Sequence, residues 1–283
     1  MRVERILGLL LALVTLALAR PETHTRIDRA QFQTAITRFQ KGPTTVDLVG
    51  VVHIGEADYY ARLNRHLGHY PQVLYELIAQ PPGDLNRQEL YDLVGLEAPP
   101  SNPIPRAGDN STDTTRFQRQ LCEKLGLSFQ LDQIDYRGNH FLHADLTPRQ
   151  LEKLLRGQPA APKDFFERIL ADFEGSPAER LEWTARFMAP TNPENQKRLR
   201  QLMAQLLCAP EAFDRSLRGP ESKIYIQKRN ARAVTVLRQQ LAKGQRKVAI
   251  FYGAAHMPDL AQRLRQELGF RQVARSWMRA WNL

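Results

Sequence analysis

Short runs of β-branched and aromatic residues alternate with amphipathic segments along the chain. Residues 46–52 and 248–252 have the composition of buried strands, and residues 72–78 predict a third strand. Residues 56–67, which lie between the first and the third of these runs, have the acidic first turn and the apolar spacing of a helix. This β–α–β order predicts parallel strands in an α/β sheet. Residues 270–280 predict a final strand.

The same periodicity predicts helices around the strands. Residues 27–40 carry Phe32 and Ile36 at helical spacing, which predicts an amphipathic helix before the first strand. The other predicted elements are helices at 113–125, from 148 onward, within 163–207, at 221–243 and at 258–268, and a strand at 128–135. The chain thus predicts an α/β domain over residues 20–283. Its central sheet is expected to be mixed, largely parallel and flanked by helices, with a mostly helical insertion at residues 147–245.

Two segments stand outside this pattern. Residues 1–19 have a basic start, an apolar stretch and a small-residue cleavage pattern that ends at Ala19, as in a secretory signal peptide. The apolar stretch is shorter than the roughly 20 residues that span a bilayer, which favours cleavage over an uncleaved anchor. We therefore expect a periplasmic or secreted protein. Residues 80–115 are rich in Pro, Gly and polar residues, and such a long loop predicts a lid or rim of a site.

The formal net charge of +10 raises the question of nucleic-acid binding. The basic residues are interspersed with acidic ones and no recognised nucleic-acid-binding motif is present, so we expect no nucleic-acid partner. For an exported protein this charge fits association with a membrane surface or cell-envelope polymers, although solvated helix faces are the simpler explanation. Cys122 and Cys208 are the only cysteines, and their wide spacing leaves a disulfide open.

Two Gly-x-x-His turns are the main candidates for chemistry. One runs from Gly50 to His53 after the first strand-like run, and the other runs from Gly253 to His256 after residues 248–252. In open α/β sheets, ligands bind at the carboxyl ends of the strands. We therefore expect the two turns, from opposite ends of the chain, to meet at one site. Imidazole is also the commonest protein metal ligand.

Glu76 is the third candidate. It lies in an apolar strand-like segment, where an ionised carboxylate is costly unless it is paired or bound to a metal. A wet sheet face or an arginine partner is the alternative. Two imidazoles and a carboxylate form a three-ligand set that leaves positions for water and substrate, as in catalytic metal sites. A metal ion on His53, Glu76 and His256 would activate water for hydrolysis, and Zn, Mn, Co and Fe are not distinguished.

These motifs resemble those of the TraB/GumN/Tiki family. Residues 48–56 followed by 73–77 resemble its first signature, residues 251–258 resemble its second, and residues 228–230 match a helix segment with an arginine. The resemblance covers nearly the whole mature chain in order. The family is similar to erythromycin-esterase and ChaN-like proteins, which implies an α/β fold of that kind.

The resemblance also implies roles. It implies His53, Glu76 and His256 as the metal-binding or catalytic set, and Arg229 as a residue that binds or orients substrate, with a surface arginine as the alternative. Animal Tiki proteins are metal-dependent proteases, which implies metalloprotease activity on a peptide or small-molecule substrate. ChaN-like relatives are associated with haem and iron. A haem- or iron-binding protein without catalysis, or a degenerate scaffold, is therefore the alternative.

Further polar residues stay open at this stage. Glu56 is a candidate catalytic base, with stabilisation of a helix N-terminus as the alternative. His143 and Asp145 resemble a ligand pair, but Asp145 also precedes a predicted helix start. No Gly-x-Ser-x-Gly motif occurs, which disfavours a serine nucleophile. The sequence thus predicts an exported metal-dependent hydrolase of the peptidase type.

Overall fold

The computed structural model describes residues 23–77, 113–155, 177–208 and 223–283. The predicted signal peptide at residues 1–19 and nearly all of the predicted lid at residues 80–115 lie outside these residues. Among the described helices, none is long and apolar enough to cross a bilayer.

The described elements follow one another in this order. The strands are β1 (Thr25–Asp28), β2 (Gln31–Lys41), β3 (Thr44–Val51), β4 (Ile54–Gly55), β5 (Gln72–Tyr75), β6 (Ser128–Phe129), β7 (Phe141–His143), β8 (Lys247–Gly253) and β9 (Arg271–Asn282). The helices are α1 (Ala57–Leu67), α2 (Asp113–Leu125), α3 (Gln130–Gln133), α4 (Pro148–Leu155), α5 (Pro177–Met188), α6 (Pro193–Cys208), α7 (Arg229–Ala242) and α8 (Met257–Gln266). A π-helical turn (Lys223–Lys228) precedes α7, and a 3-10 turn (Ala254–His256) precedes α8.

Within the described residues, the main sheet has seven strands in the order β1-β2-β3-β8-β5-β7, with β9 paired to β2. Strands β3, β8, β5 and β7 are parallel, whereas β1, β2 and β9 are antiparallel to their neighbours. The predicted mixed α/β class, with a mostly parallel sheet flanked by helices, is confirmed. The predicted parallel relation of β3 and β5 also holds, but β8 lies between them.

The apolar core lies on both faces of the parallel strands. One face contributes Val49, Val73 and Phe251, which pack with α1, α2 and α6. The opposite face contributes Leu48 and Ile250, which pack with α7 and α8. Burial on both faces explains the continuous apolar runs of these strands. Because helices cover both faces, polar groups can gather at the carboxyl ends of β3, β8 and β5.

The helix predicted at residues 27–40 is wrong, because this segment forms β1 and β2. Residues four apart lie on one face of a strand as well as of a helix, and six consecutive positions of β2 from Phe32 onward are buried, so no alternation is visible. The hairpin turn uses Arg29 (φ 49°) and Ala30 (φ 56°), which carry no turn signal in the sequence.

Three other predicted elements differ in extent. The strand predicted at residues 72–78 ends at Tyr75, which places Glu76 just beyond it. The strand predicted at residues 128–135 is limited to β6, since α3 follows at once. The long helix predicted at residues 221–243 is a π-helical turn followed by α7. Between residues 147 and 245, the described elements are all helical, as expected.

Candidate functional site

The two Gly-x-x-His turns leave the same edge of the sheet. Strands β3 and β8 are parallel neighbours, and their register pairs Val51 with Gly253. His53 and His256 therefore follow strand ends that lie side by side. The expectation that the two turns meet is confirmed, because β8 is inserted next to β3 rather than at the far side of the sheet.

Gly253 lies at the centre of the predicted residues. A Cβ atom built on it would lie 3.2 Å from Glu76 Oε2. The same atom would lie 3.7 Å from His256 Cδ2 and 4.0 Å from His53 Nε2. We call the space over Gly253, bounded by these three side chains, the Gly253 cradle. Only a residue without a side chain leaves it open.

Glu76 is held from two sides. Its Oε1 accepts a hydrogen bond from Arg229 Nη2 at 2.6 Å, and its Oε2 accepts one from the Gly253 backbone N–H at 2.6 Å. Burial alone would raise the pKa of Glu76, but Arg229, His256 and, least, His53 hold it well below its usual range. Glu76 is thus an ionised carboxylate inside the site.

Arg229, the first residue of α7, is buried and not a surface arginine. Its Nε and Nη2 both donate to Asp145, at 2.9 Å and 2.6 Å, while Nη2 also reaches Glu76. Burial lowers the pKa of Arg229, and the Asp145 and Glu76 carboxylates more than reverse this, so its pKa is raised. The guanidinium is therefore a fixed charge whose plane is set by two carboxylates.

Asp145 is the residue whose role the sequence left open. Its buried carboxylate binds Arg229 and also accepts the Leu146 N–H at 2.7 Å. It lies just past the end of β7, at the same sheet edge as Glu76, which is the signal that could have identified it. His143 is separately engaged, because its Nε2 lies 2.6 Å from Leu77 O.

His256 is fixed from behind by Asn230. The Nδ1 atom of His256 lies 2.7 Å from Asn230 Oδ1, and Asn230 is completely buried. The Nε2 atom faces the site, 3.4 Å from Glu76 Oε1 and 3.5 Å from Arg229 Nη1. Asn230 lies in the helix segment 228–230 that carries the motif resemblance, but the sequence predicted no role for it.

His53 is the solvent-exposed member of the site. Its Nδ1 lies 2.9 Å from Oε1 of the buried Gln130, whose backbone N–H also donates to His53 O at 2.9 Å. Gln130 Nε2 lies in turn 2.9 Å from the hydroxyl of Tyr136. No sequence pattern predicted this pair, because α3 was expected to be part of a strand.

Glu56 is not brought into this cluster by the contacts of the described residues. Its Oε1 accepts hydrogen bonds from the Asn282 backbone N–H and Nδ2, each at 3.0 Å, and its Oε2 lies 3.6 Å from Arg279 Nε. These contacts join the start of α1 to β9. Cys122 and Cys208, for which a disulfide was left open, are both free thiols.

The site has features that favour metal binding and features that oppose it. Two imidazoles and a carboxylate around the Gly253 cradle are suitable donor types. However, Arg229 already supplies a positive charge to Glu76 Oε1 and lies within 3.5 Å of His256 Nε2. In the described parts of the chain, no group of three or more His, Cys, Asp or Glu side chains is placed to hold a metal ion. In the arrangement found here, these residues do not fit a divalent cation unless Arg229 releases Glu76.

Comparisons with known proteins give no match to this chain among family models, curated proteins or solved structures. The site is therefore interpreted from its own geometry, and the motif resemblance stays an expectation.

Proposed function

We propose that the protein is a hydrolase whose catalytic centre is the cluster around the Gly253 cradle. The observation that carries the proposal is the convergence of His53, His256 and the ionised Glu76 at the carboxyl edge of a parallel sheet. Ligands of α/β proteins bind at this edge, and imidazoles exchange protons near neutral pH. Such a group accelerates hydrolysis of an acyl bond by moving protons in the transition state.

In the proposed mechanism, His256 carries the proton. Its Nε2 accepts a proton from the attacking water and then donates it to the leaving group, so one imidazole serves both steps. Glu76, whose Oε1 lies 3.4 Å from Nε2, stabilises the imidazolium between the two steps. The proton that His256 takes from the water is therefore the one that it gives to the leaving group.

Arg229 is the proposed stabiliser of the developing oxyanion. Its Nε and Nη2 are engaged with Asp145 and Glu76, whereas Nη1 has only the 3.5 Å contact with His256 Nε2 among the described hydrogen bonds. Nη1 therefore offers N–H groups from a guanidinium that does not have to reorient during the reaction. His53, on the solvent side, is proposed to orient the water or the substrate.

The proposed substrate is a peptide or a small amide or ester, and the proposed place of action is outside the cytoplasm. The first part depends on the resemblance to Tiki proteins, and the second on the signal-peptide pattern of residues 1–19.

A metal-assisted form is the second candidate, which is favoured by the donor types around the Gly253 cradle. It would require Arg229 to release Glu76, after which His53, Glu76 and His256 would hold the ion and the ion would supply activated water.

A hydrolysis assay tests the proposal. The purified protein is incubated with fluorescein-labelled casein and with p-nitrophenyl acetate, with EDTA and with added Mn²⁺, Co²⁺ or Zn²⁺. The variant His256→Ala is compared with His69→Ala, a matched control at the C-terminal end of α1, beside the start of β8. We expect turnover that His256→Ala lowers about a hundredfold and His69→Ala leaves unchanged, and the sensitivity of that turnover to EDTA decides between the two candidates.

Two outcomes would contradict the proposal. Equal turnover in wild type and His256→Ala would place the reaction elsewhere. No turnover under any of these conditions, together with an intense visible absorption band on addition of haem, would support the binding protein instead.

A further inference from the structure

Each imidazole of the site contacts an amide side chain through its Nδ1 atom. The two amides differ in how many orientations their other hydrogen bonds permit. Asn230 lies behind His256, and Gln130 lies behind His53, each with its amide oxygen toward the imidazole Nδ1. An amide that presents oxygen to Nδ1 requires a proton there, which leaves a lone pair on Nε2. The other hydrogen-bond partner of each amide decides whether the amide oxygen and NH₂ group can exchange positions.

Asn230 has a single permitted orientation. Its Nδ2 donates to Asp259 Oδ2 at 2.8 Å and to the backbone oxygen of His256 at 3.2 Å. A carboxylate and a carbonyl only accept hydrogen bonds, so the NH₂ group must face them and Oδ1 must face His256. Arg229 Nη1, a donor, lies 3.5 Å from His256 Nε2, and Glu76 Oε1, an acceptor, lies 3.4 Å from the same atom, so these two contacts accommodate a lone pair on the neutral ring and a proton on the imidazolium.

Gln130 has two permitted orientations. Its far partner is the hydroxyl of Tyr136, which can accept from Nε2 or donate to Oε1. Burial raises the pKa of Tyr136, so the phenol keeps the proton that the second orientation needs. If the amide is turned over, its NH₂ group donates to His53 Nδ1, and the imidazole proton moves to Nε2.

We propose that Asn230 and Gln130 are positioning residues that give the two histidines different capacities. Asn230 holds neutral His256 in the single tautomer that accepts at Nε2. The Gln130–Tyr136 pair lets His53 exchange between a tautomer that accepts at Nε2 and one that donates there. The consequence for catalysis rests on the proposed function, because an exchanging His53 can accept from the attacking water or donate to the substrate carbonyl.

The test is ¹⁵N NMR of the full protein labelled at histidine, at about two pH units above the ordinary imidazole pKa near 6.5. Correlation of the ring nitrogens with the ring C–H protons shows which nitrogen carries the proton. Spectra of His53→Ala and His256→Ala assign the two rings. We expect His256 as the pure Nδ1–H tautomer, and His53 with averaged shifts on both nitrogens.

Gln130→Glu is the variant that separates exchange from simple support. A carboxylate accepts from His53 Nδ1 and from the Tyr136 hydroxyl but cannot donate, so His53 should become pure Nδ1–H while the His256 pattern stays unchanged. Wild-type His53 shifts equal to those of Gln130→Glu, or a proton on His256 Nε2, would overturn the proposal. The wild-type spectrum alone decides the point if the variant fails to fold.

This experiment is independent of turnover. Absence of hydrolysis with the expected spectra would remove the proposed function and leave the assignment of the tautomers intact. Hydrolysis with a single His53 tautomer would do the reverse.

Discussion

The proposed chemistry of the site depends on a residue without a side chain. Gly253 has a backbone conformation (φ −51°, ψ 140°) that any residue adopts, so its requirement is one of space and not of backbone strain. Glu76 Oε2, His256 and His53 lie within 4.0 Å of where a Cβ would be. Glycine at this position therefore serves the site more than the fold.

We expect Gly253→Ala to lower turnover at least about tenfold while it changes the free energy of unfolding by about 1 kcal/mol or less. The added methyl group would push against Glu76 Oε2 at 3.2 Å. Assays of hydrolysis and urea unfolding measure the two effects separately.

Gly42→Ala is the matched control. Gly42 has φ +54° and nothing within 4 Å of a built Cβ, so alanine there should cost about 1 kcal/mol of stability and leave turnover unchanged. Full activity in Gly253→Ala would show that the cradle does not take part in the reaction.

Glu76→Gln tests the charge balance of the site. At about pH 7 we expect destabilisation of about 1–3 kcal/mol, because a charged hydrogen bond is lost while Asp145 still neutralises Arg229. The folded-state pKa of Glu76 lies well below its ordinary value of 4.5. Its contribution is therefore complete above that value and is lost as the pH falls through the folded-state pKa.

Urea unfolding of wild type and Glu76→Gln at about pH 7 and about pH 3.5 measures this dependence. The difference in the free energy of unfolding should shrink at the lower pH. Glu56→Gln serves as control, since its partners lie on β9 and its effect should stay below about 1 kcal/mol. A difference for Glu76→Gln that is the same at both pH values would contradict the ionised state.

At the scale of elements, the β1–β2 hairpin is closed at an energetic cost. Arg29 and Ala30 both have positive φ, and a turn of this kind favours Asn-Gly. The double substitution Arg29→Asn with Ala30→Gly should raise the free energy of unfolding by about 1 kcal/mol. Thermal unfolding should show a rise in Tm of about 2–4 °C without a change in turnover, and a fall in Tm would contradict this account of the turn.

The elements also show what the sequence could predict. β3, β8 and α1 were predicted because their apolar patterns match their burial, and the carboxyl-edge rule then placed both Gly-x-x-His turns at one edge. The β1–β2 hairpin was missed because β2 is buried on both faces and its turn lacks glycine. Gln130 and Asp145 were not assigned because their roles arise from contacts with His53 and Arg229, which are distant from them in the chain.

At the scale of the whole molecule, the site joins the two ends of the chain. His53 follows β3, His256 follows β8, and the polypeptide between them contributes the supporting residues: Glu76, Gln130, Tyr136, Asp145, Arg229 and Asn230. The helices α7 and α8 cover one face of the sheet behind this edge, while α1, α2 and α6 cover the other. The parallel pairing of β3 with β8 is thus the feature on which the proposed function depends.

The claim that both turns form one catalytic site is tested most directly by a double-mutant comparison. Turnover of fluorescein-labelled casein is measured for wild type, His53→Ala, His256→Ala and the variant with both substitutions. Because residues that act as a unit have non-additive effects, we expect each single loss to be about a hundredfold, and the double variant to be no slower than the slower single variant. Losses that multiply to about ten-thousandfold, or full turnover in either single variant, would contradict a shared site.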